Sequence, residues 1–133
     1  MSARFLLDTN VISDYGNGKP WAGNIFDKIA LYGQHRCHVS AISWHELMFG
    51  LGALGPKRRA ALNEVYNGFQ FVGFDRAAAI ASAQVRQGLG ENGIDLADAL
   101  IAGQAIAGGF TLVSNNTKHF SRVKGLHLVN WAV

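Results

Sequence analysis

The chain has 133 residues, 49% hydrophobic and 16% charged, which describes one compact soluble domain large enough to build a core without staples. No apolar run approaches the ~20 residues a bilayer span needs, and Asp8 cuts the early "FLL" short of a signal-peptide core, so a cytoplasmic protein with no membrane contact is expected. The net charge is +3, from 12 Lys and Arg against 9 Asp and Glu, and the lone Cys37 excludes an internal disulfide and suits a reducing compartment.

The first β-like run, at about 4–7, stops on Asp8; Thr9 and Asn10 follow before Val11 and Ile12 turn apolar again. This order reads as strand, acid, helix. An acid there either caps the helix or stands where open α/β sheets place their ligands, outside the strand ends. "YGNGKP" then breaks the chain, and Pro20 can open a helix at about 21–34. Further β-like runs fall at about 37–40, 69–73, 111–114 and 126–129, with helical periodicity between them. Alternation of this kind predicts an α/β fold, a parallel sheet flanked by helices. Cys37 is expected as a small buried strand residue. "GALGPKRR" divides about 41–67 into a protruding helical hairpin. Asp75 is placed to cap an alanine-rich helix that "GLGENG" closes. No repeat or linker divides residues 1–133, so a single domain is expected.

Three acids fall near strand ends. Glu46 lies in "CHVSAISWHELMFGL", with Ile42, Gly50 and Ala53 on its helical face, a small apolar setting that predicts a buried acid; Ser43 and Glu46 also match a capping box. His45 and Glu46 begin an HExxH motif that fails at Phe49, and His35 and His38 are too few for zinc. In "GIDLADALIAGQAIAGG", Asp98 is the only charged residue from Leu96 to Ala107, so a buried helix carries a carboxylate that needs a partner. Asp95 stands at the N-cap of that helix. "FTLVSNNTKHF" ends its strand on Ser114, Asn115 and Asn116. In a parallel sheet Asp8, Glu46 and Asp98 share one edge, where a divalent cation relieves their repulsion. Oxygen-only ligands favour Mg²⁺ or Mn²⁺. Setting these three aside leaves 12 basic against six acidic side chains, which suits a polyanionic partner.

In this order and spacing the segments resemble the PIN-domain ribonucleases, and among them the VapC-type toxins of bacterial toxin–antitoxin pairs. "FLLDTNVIS" resembles the family's opening strand with its first metal-binding aspartate, Asp8. "SAISWHELMFGL" resembles the segment with its glutamate, Glu46. "DLADALIAGQAIAGGFTLVSNNTKHFSRVKGLHLVNW" is similar to the closing third, with Asp98 as the next acid. Many members carry a fourth acid after the last core strand, where this chain has Asn116 and His119; one metal site is implied, and the second depends on what those residues do.

The resemblance implies endonucleolytic cleavage of RNA by metal-activated water, leaving a 5′-phosphate and a 3′-hydroxyl, with Asp8, Glu46 and Asp98 as catalytic residues and metal ligands. Thr9 and Asn10 could orient Asp8, and Asn116 could hold a water or a phosphate. Lys118, Arg122, Lys124, Arg86 and Arg76, with Lys57, Arg58 and Arg59, are candidate RNA contacts. The apolar hairpin residues Trp44, Leu47, Met48, Phe49, Leu51 and Leu54 are core or, where exposed, an interaction patch. The resemblance implies two uses for such a patch: a homodimer, possible within a larger toxin–antitoxin assembly, and a small VapB-type antitoxin protein. Rival readings are an aspartate-based phosphatase, which would want an acid where Asn10 stands, a phosphoacceptor receiver domain, which would want paired acids after the first strand, and a non-catalytic RNA-binding module.

Overall fold

The computed structural model describes residues 3–133. In chain order the elements are β1 (Phe5–Leu7), α1 (Thr9–Gly16), α2 (Ala22–Tyr32), a 3₁₀ turn (Gln34–Arg36), β2 (Cys37–Ser40), α3 (Ala41–Leu51), α4 (Pro56–Asn67), β3 (Gln70–Val72), α5 (Arg76–Leu89), α6 (Leu96–Gly108), β4 (Thr111–Val113), α7 (Thr117–Phe120) and β5 (His127–Val129). The strands form one parallel sheet in the order β3-β2-β1-β4-β5. Each β-like run read from the sequence contains one of them. Helix α2 stops short of the expected residue 34 because Gly33 takes φ +97°, a conformation that ends a helix and suits glycine alone.

Side-chain alternation along β1 divides the core. Phe5 and Leu7 join one cluster with Val11, Ile12, Ile25 and Val39; Leu6 points the other way, to Ala99, Ile101, Leu112 and Phe120. All three strand residues are buried, so β1 is covered on both faces, as a central parallel strand must be. Each such side chain contributes about 1.5–3 kcal/mol by leaving water. Cys37 is buried on β2, as its flanking residues suggested.

The hairpin α3–α4 is anchored through Leu47, Leu51, Leu62 and Tyr66 in the first cluster, while Phe49, 81% exposed, faces solvent. Its turn is held by Arg59, whose Nε and Nη2 donate to Leu51 O at 3.2 Å and Leu54 O at 2.8 Å. On the other face α5 and α6 pack so closely that a Cβ on Gly103 would fall against the backbone of Ser82. Gln104 Nε2 donates to Gly73 O at 2.8 Å, fixing α6 to the segment leaving β3. Among the described residues, no helix is long and apolar enough to cross a membrane.

Candidate active site

The chain moves outward from β1 to β2 and β3, then returns to place β4 on the other side of β1. The reversal opens a crevice at the carboxyl ends of β1 and β4, the position where open α/β sheets bind ligands. Asp8 stands at its edge, with its backbone N–H donating to Val113 O at 2.9 Å. Its side chain is 6% exposed, and both oxygens are engaged: Oδ1 accepts from Thr9 N at 2.8 Å and Oδ2 from Ser114 Oγ at 2.9 Å. Asp8 is therefore the N-cap of α1 and the strand-end acid at once. Burial pushes its pKa up; the Ser114 and Thr9 hydrogen bonds oppose the shift, and the charge of Glu46 adds to it.

Asp98 lies in the first turn of α6. Its pKa is pushed up to about 6, first by burial, then by the charges of Asp8 and Asp95, with a smaller push from Glu46; His119 acts in the opposite direction. No hydrogen bond contributes to that balance. Asp8, Asp95 and Glu46 thus all act through space on Asp98. Asp95 occupies the N-cap of α6 without making a side-chain capping bond.

Glu46 departs from expectation: it is exposed instead of buried. Helix α3 starts directly after β2, with Ser40 as N-cap accepting from Ser43 N at 2.9 Å, so Ser43 is the capped residue and the proposed Ser43–Glu46 box does not form. The helix turns Ser43 and Leu47 inward, and Glu46 and Gly50 line a groove between α1 and the α3–α4 hairpin, beside Thr9 and Asn10. Thr9 Oγ1 lies 2.6 Å from Glu46 Oε1 and 2.9 Å from Ser43 Oγ. Having one proton, it donates to the carboxylate and accepts from Ser43. Thr9 is thereby the bridge between the Asp8 turn and Glu46. For the RNA cleavage that the sequence resemblance implies, Thr9→Val is expected to cut kcat/KM about tenfold while Thr9→Ser retains it, with thermal melts alongside; equal activity in both variants would remove the bridge from that activity.

A cleft of about 440 Å³ lies over Asp8, lined by Asn10, Asp14, Asn115 and Asn116. Asp14 escaped the sequence reading because it stands directly before the break read at "YGNGKP". Helix α1 runs through it to Gly16, so Asn10 and Asp14, four residues apart, share a face. Trp21 Nε1 donates to Asp14 Oδ2 at 2.7 Å. Spacing from Asn10 was the available signal.

Of the candidate cations, Lys118 is exposed on α7, two residues beyond Asn116. Arg122 and Lys124 line a different groove of about 320 Å³, with Val85, Leu89 and Ile106, and Arg122 donates to Gly93 O. Arg86 and Arg76 are exposed on α5, while Arg58 bonds Asn17 Oδ1 and Lys57 is exposed on α4. As the side chains stand, no three Asp, Glu, His or Cys groups among the described residues converge on one ion. Two carboxylates, Asp8 and Asp98, remain coupled through space.

Residues 5–126 match the family model of the PIN domain. Over 96% of this chain and 98% of the relative, the sequence is 31% identical to a tRNA(fMet)-specific endonuclease VapC of Salmonella typhimurium. The chain belongs to the PIN domain family. This PIN domain also superposes on DNA-bound VapBC from Salmonella typhimurium with a TM-score of 0.84, at 30% identity over 97% of this chain and 98% of that one. A toxin–antitoxin complex from Klebsiella pneumoniae gives 0.77 at 25% identity, covering 98% of each chain. The family read from the order of the acidic segments is the family these comparisons give, and the protein is of the VapC type.

Proposed function

We propose that this PIN domain is an endoribonuclease, the toxin of a toxin–antitoxin pair, acting with Mg²⁺ or Mn²⁺ in the cytoplasm. The observation that carries the reading is Asp98: a half-buried carboxylate with no hydrogen bond, its pKa raised first by burial and then by the charges of Asp8 and Asp95, with a smaller push from Glu46. Such a group calls for a cation. The donor set fits a hard one. Mg²⁺ commonly takes one or two protein carboxylates and completes its shell with water and substrate phosphate, so it needs no closed protein cage. Asp8 and Asp98 would hold it, with Glu46 as the third acid. When bound, the ion supplies activated water and neutralises charge on the attacked phosphodiester.

The protein's own groups prepare that site. Ser114 Oγ and Thr9 N fix both oxygens of Asp8, and Thr9 Oγ1 fixes Glu46. The amides of Asn10, Asn115 and Asn116 line the entrance and offer hydrogen bonds to RNA oxygens. The Salmonella relative is named for tRNA(fMet), which makes initiator tRNA the first substrate to try. The VapBC and Klebsiella complexes support a small antitoxin partner, and the exposed Phe49 with half-buried Trp44 and Met48 gives it an apolar surface, shared with or separate from a homodimer contact.

The test is incubation of total RNA and initiator tRNA with the protein in Mg²⁺, Mn²⁺ and EDTA, with Asp8→Asn alongside. Discrete cuts bearing 5′-phosphates, dependent on metal and lost in the variant, are expected. A folded, inhibitor-free protein that cuts no RNA in either metal would refute the reading.

A further inference from the structure

Hydrogen bonds run outward from Asp8 to a side chain that the mechanism above does not use. Ser114 Oγ donates to Asp8 Oδ2 and, at 3.0 Å, accepts the backbone N–H of Asn116. The side chain of Asn116 continues the path, with Nδ2 3.0 Å from His119 Nδ1. With Nδ2 turned to the ring the Asn116 amide donates, so in the neutral imidazole Nδ1 is the acceptor and the proton sits on Nε2. Helix α7 is a single turn anchored by Phe120, which is fully buried, while Thr117, Lys118 and His119 are exposed. The turn thus presents a hydrogen-bond donor of fixed orientation to solvent beside the acids.

The surroundings define what that donor meets. Asp8 and Asp14 line the cleft, and Asp8, Asp95 and Glu46 act through space on Asp98. A nucleic-acid backbone entering the cleft meets the carboxylates of Asp8 and Asp14, so donors on the β4–α7 side have disproportionate weight. His119 lies near Asp98, and one of the two Nδ2 protons of Asn116 is directed at its ring.

We propose that His119 is an RNA-phosphate contact of this site, donating from Nε2–H to a non-bridging oxygen, and that Asn116 is the positioning residue that fixes its tautomer. The pair then serves substrate where an acid would serve a second metal. This rests on the ribonuclease reading, and the experiment separates the two.

Initiator tRNA binding is measured by fluorescence anisotropy in EDTA, and cleavage in Mg²⁺, for the whole protein and its variants. His119→Ala is expected to weaken binding about tenfold and to raise KM with little change in kcat. His119→Gln, whose amide nitrogen reaches near the Nε2 position, recovers most of the loss; His119→Asn, which reaches only the Nδ1 position, does not. In ¹⁵N spectra of the metal-free protein, His119 shows the Nε2–H tautomer, and Asn116→Ala abolishes that preference. Wild-type binding and cleavage retained in His119→Ala, or an Nδ1–H tautomer in the parent protein, overturns the assignment and leaves the ribonuclease reading standing. Absence of RNA binding and cleavage in the parent protein removes both.

Discussion

Asp98→Asn is expected to lower kcat/KM for RNA cleavage by on the order of 10²–10³ or more, and to make the metal-free protein more stable at neutral pH. The two effects have one origin. Asp98 has a folded-state pKa raised to about 6, against about 3.9 for an unfolded chain. Between these values the folded state binds more protons than the unfolded one, so stability falls as pH rises. Below about pH 4 aspartate and asparagine are both neutral and the two proteins melt alike. From pH 4 to 7 the parent protein loses on the order of 1 kcal/mol, allowing for screening at this half-buried site, which corresponds to about 3–6 °C in Tm. Thermal melts in EDTA at pH 4 and 7.5 follow the gap. A variant less stable than its parent at pH 7.5 would mean that Asp98 has a stabilising partner and is not held in a repulsive cluster.

The largest expected effect on folding comes from Gly103→Ala. The added methyl would lie 2.6 Å from Ser82 Cβ and closer still to the backbone of Ser82. Backbone cannot swing aside as a side-chain tip can, so α5 and α6 must part. The cost is expected near about 3 kcal/mol, the upper end for overpacking, despite the better helix propensity of alanine. Gly88→Ala on α5 is the control: nothing lies within 4 Å of its Cβ, and a gain of about 0.5–1 kcal/mol is expected. Urea unfolding of the two variants measures both. Since α6 carries Asp98, Gly103→Ala should also lower activity. A Gly103→Ala protein as stable as its parent would show that this helix contact is looser than described.

Strand positions were legible because each short apolar run had to cross the sheet between helices, and β1 ends on an acid that no core tolerates without a role. Asp98 was legible for a related reason: it is the lone charge on a helix whose Ala99 and residues 101–105 are buried. The setting of Glu46 was not. Its face was judged from neighbours at helical spacing, but an amphipathic pattern as weak as that of α3 leaves the rotation of the helix to tertiary packing, which turned Ser43 and Leu47 inward. Asp14 was hidden by its glycine-rich flank. Arg59 looked like part of a basic run, yet it donates to carbonyls at the end of α3 and in the turn that follows; backbone acceptors leave no trace in residue type. The bond between Asn116 and His119 depends on α7 being one tight turn, which a three-residue spacing permits without requiring.

The bond between Asp8 and Ser114 joins residues 106 positions apart. During synthesis the acid is made 106 residues before the hydroxyl that orients it, and the strand that forms the other wall of the crevice follows only after α6. A growing chain can begin to pair β1, β2 and β3 while its cleft is still half-built. For a protein proposed to cut RNA, this order of assembly keeps the centre unfinished until β4 and Ser114 have been made.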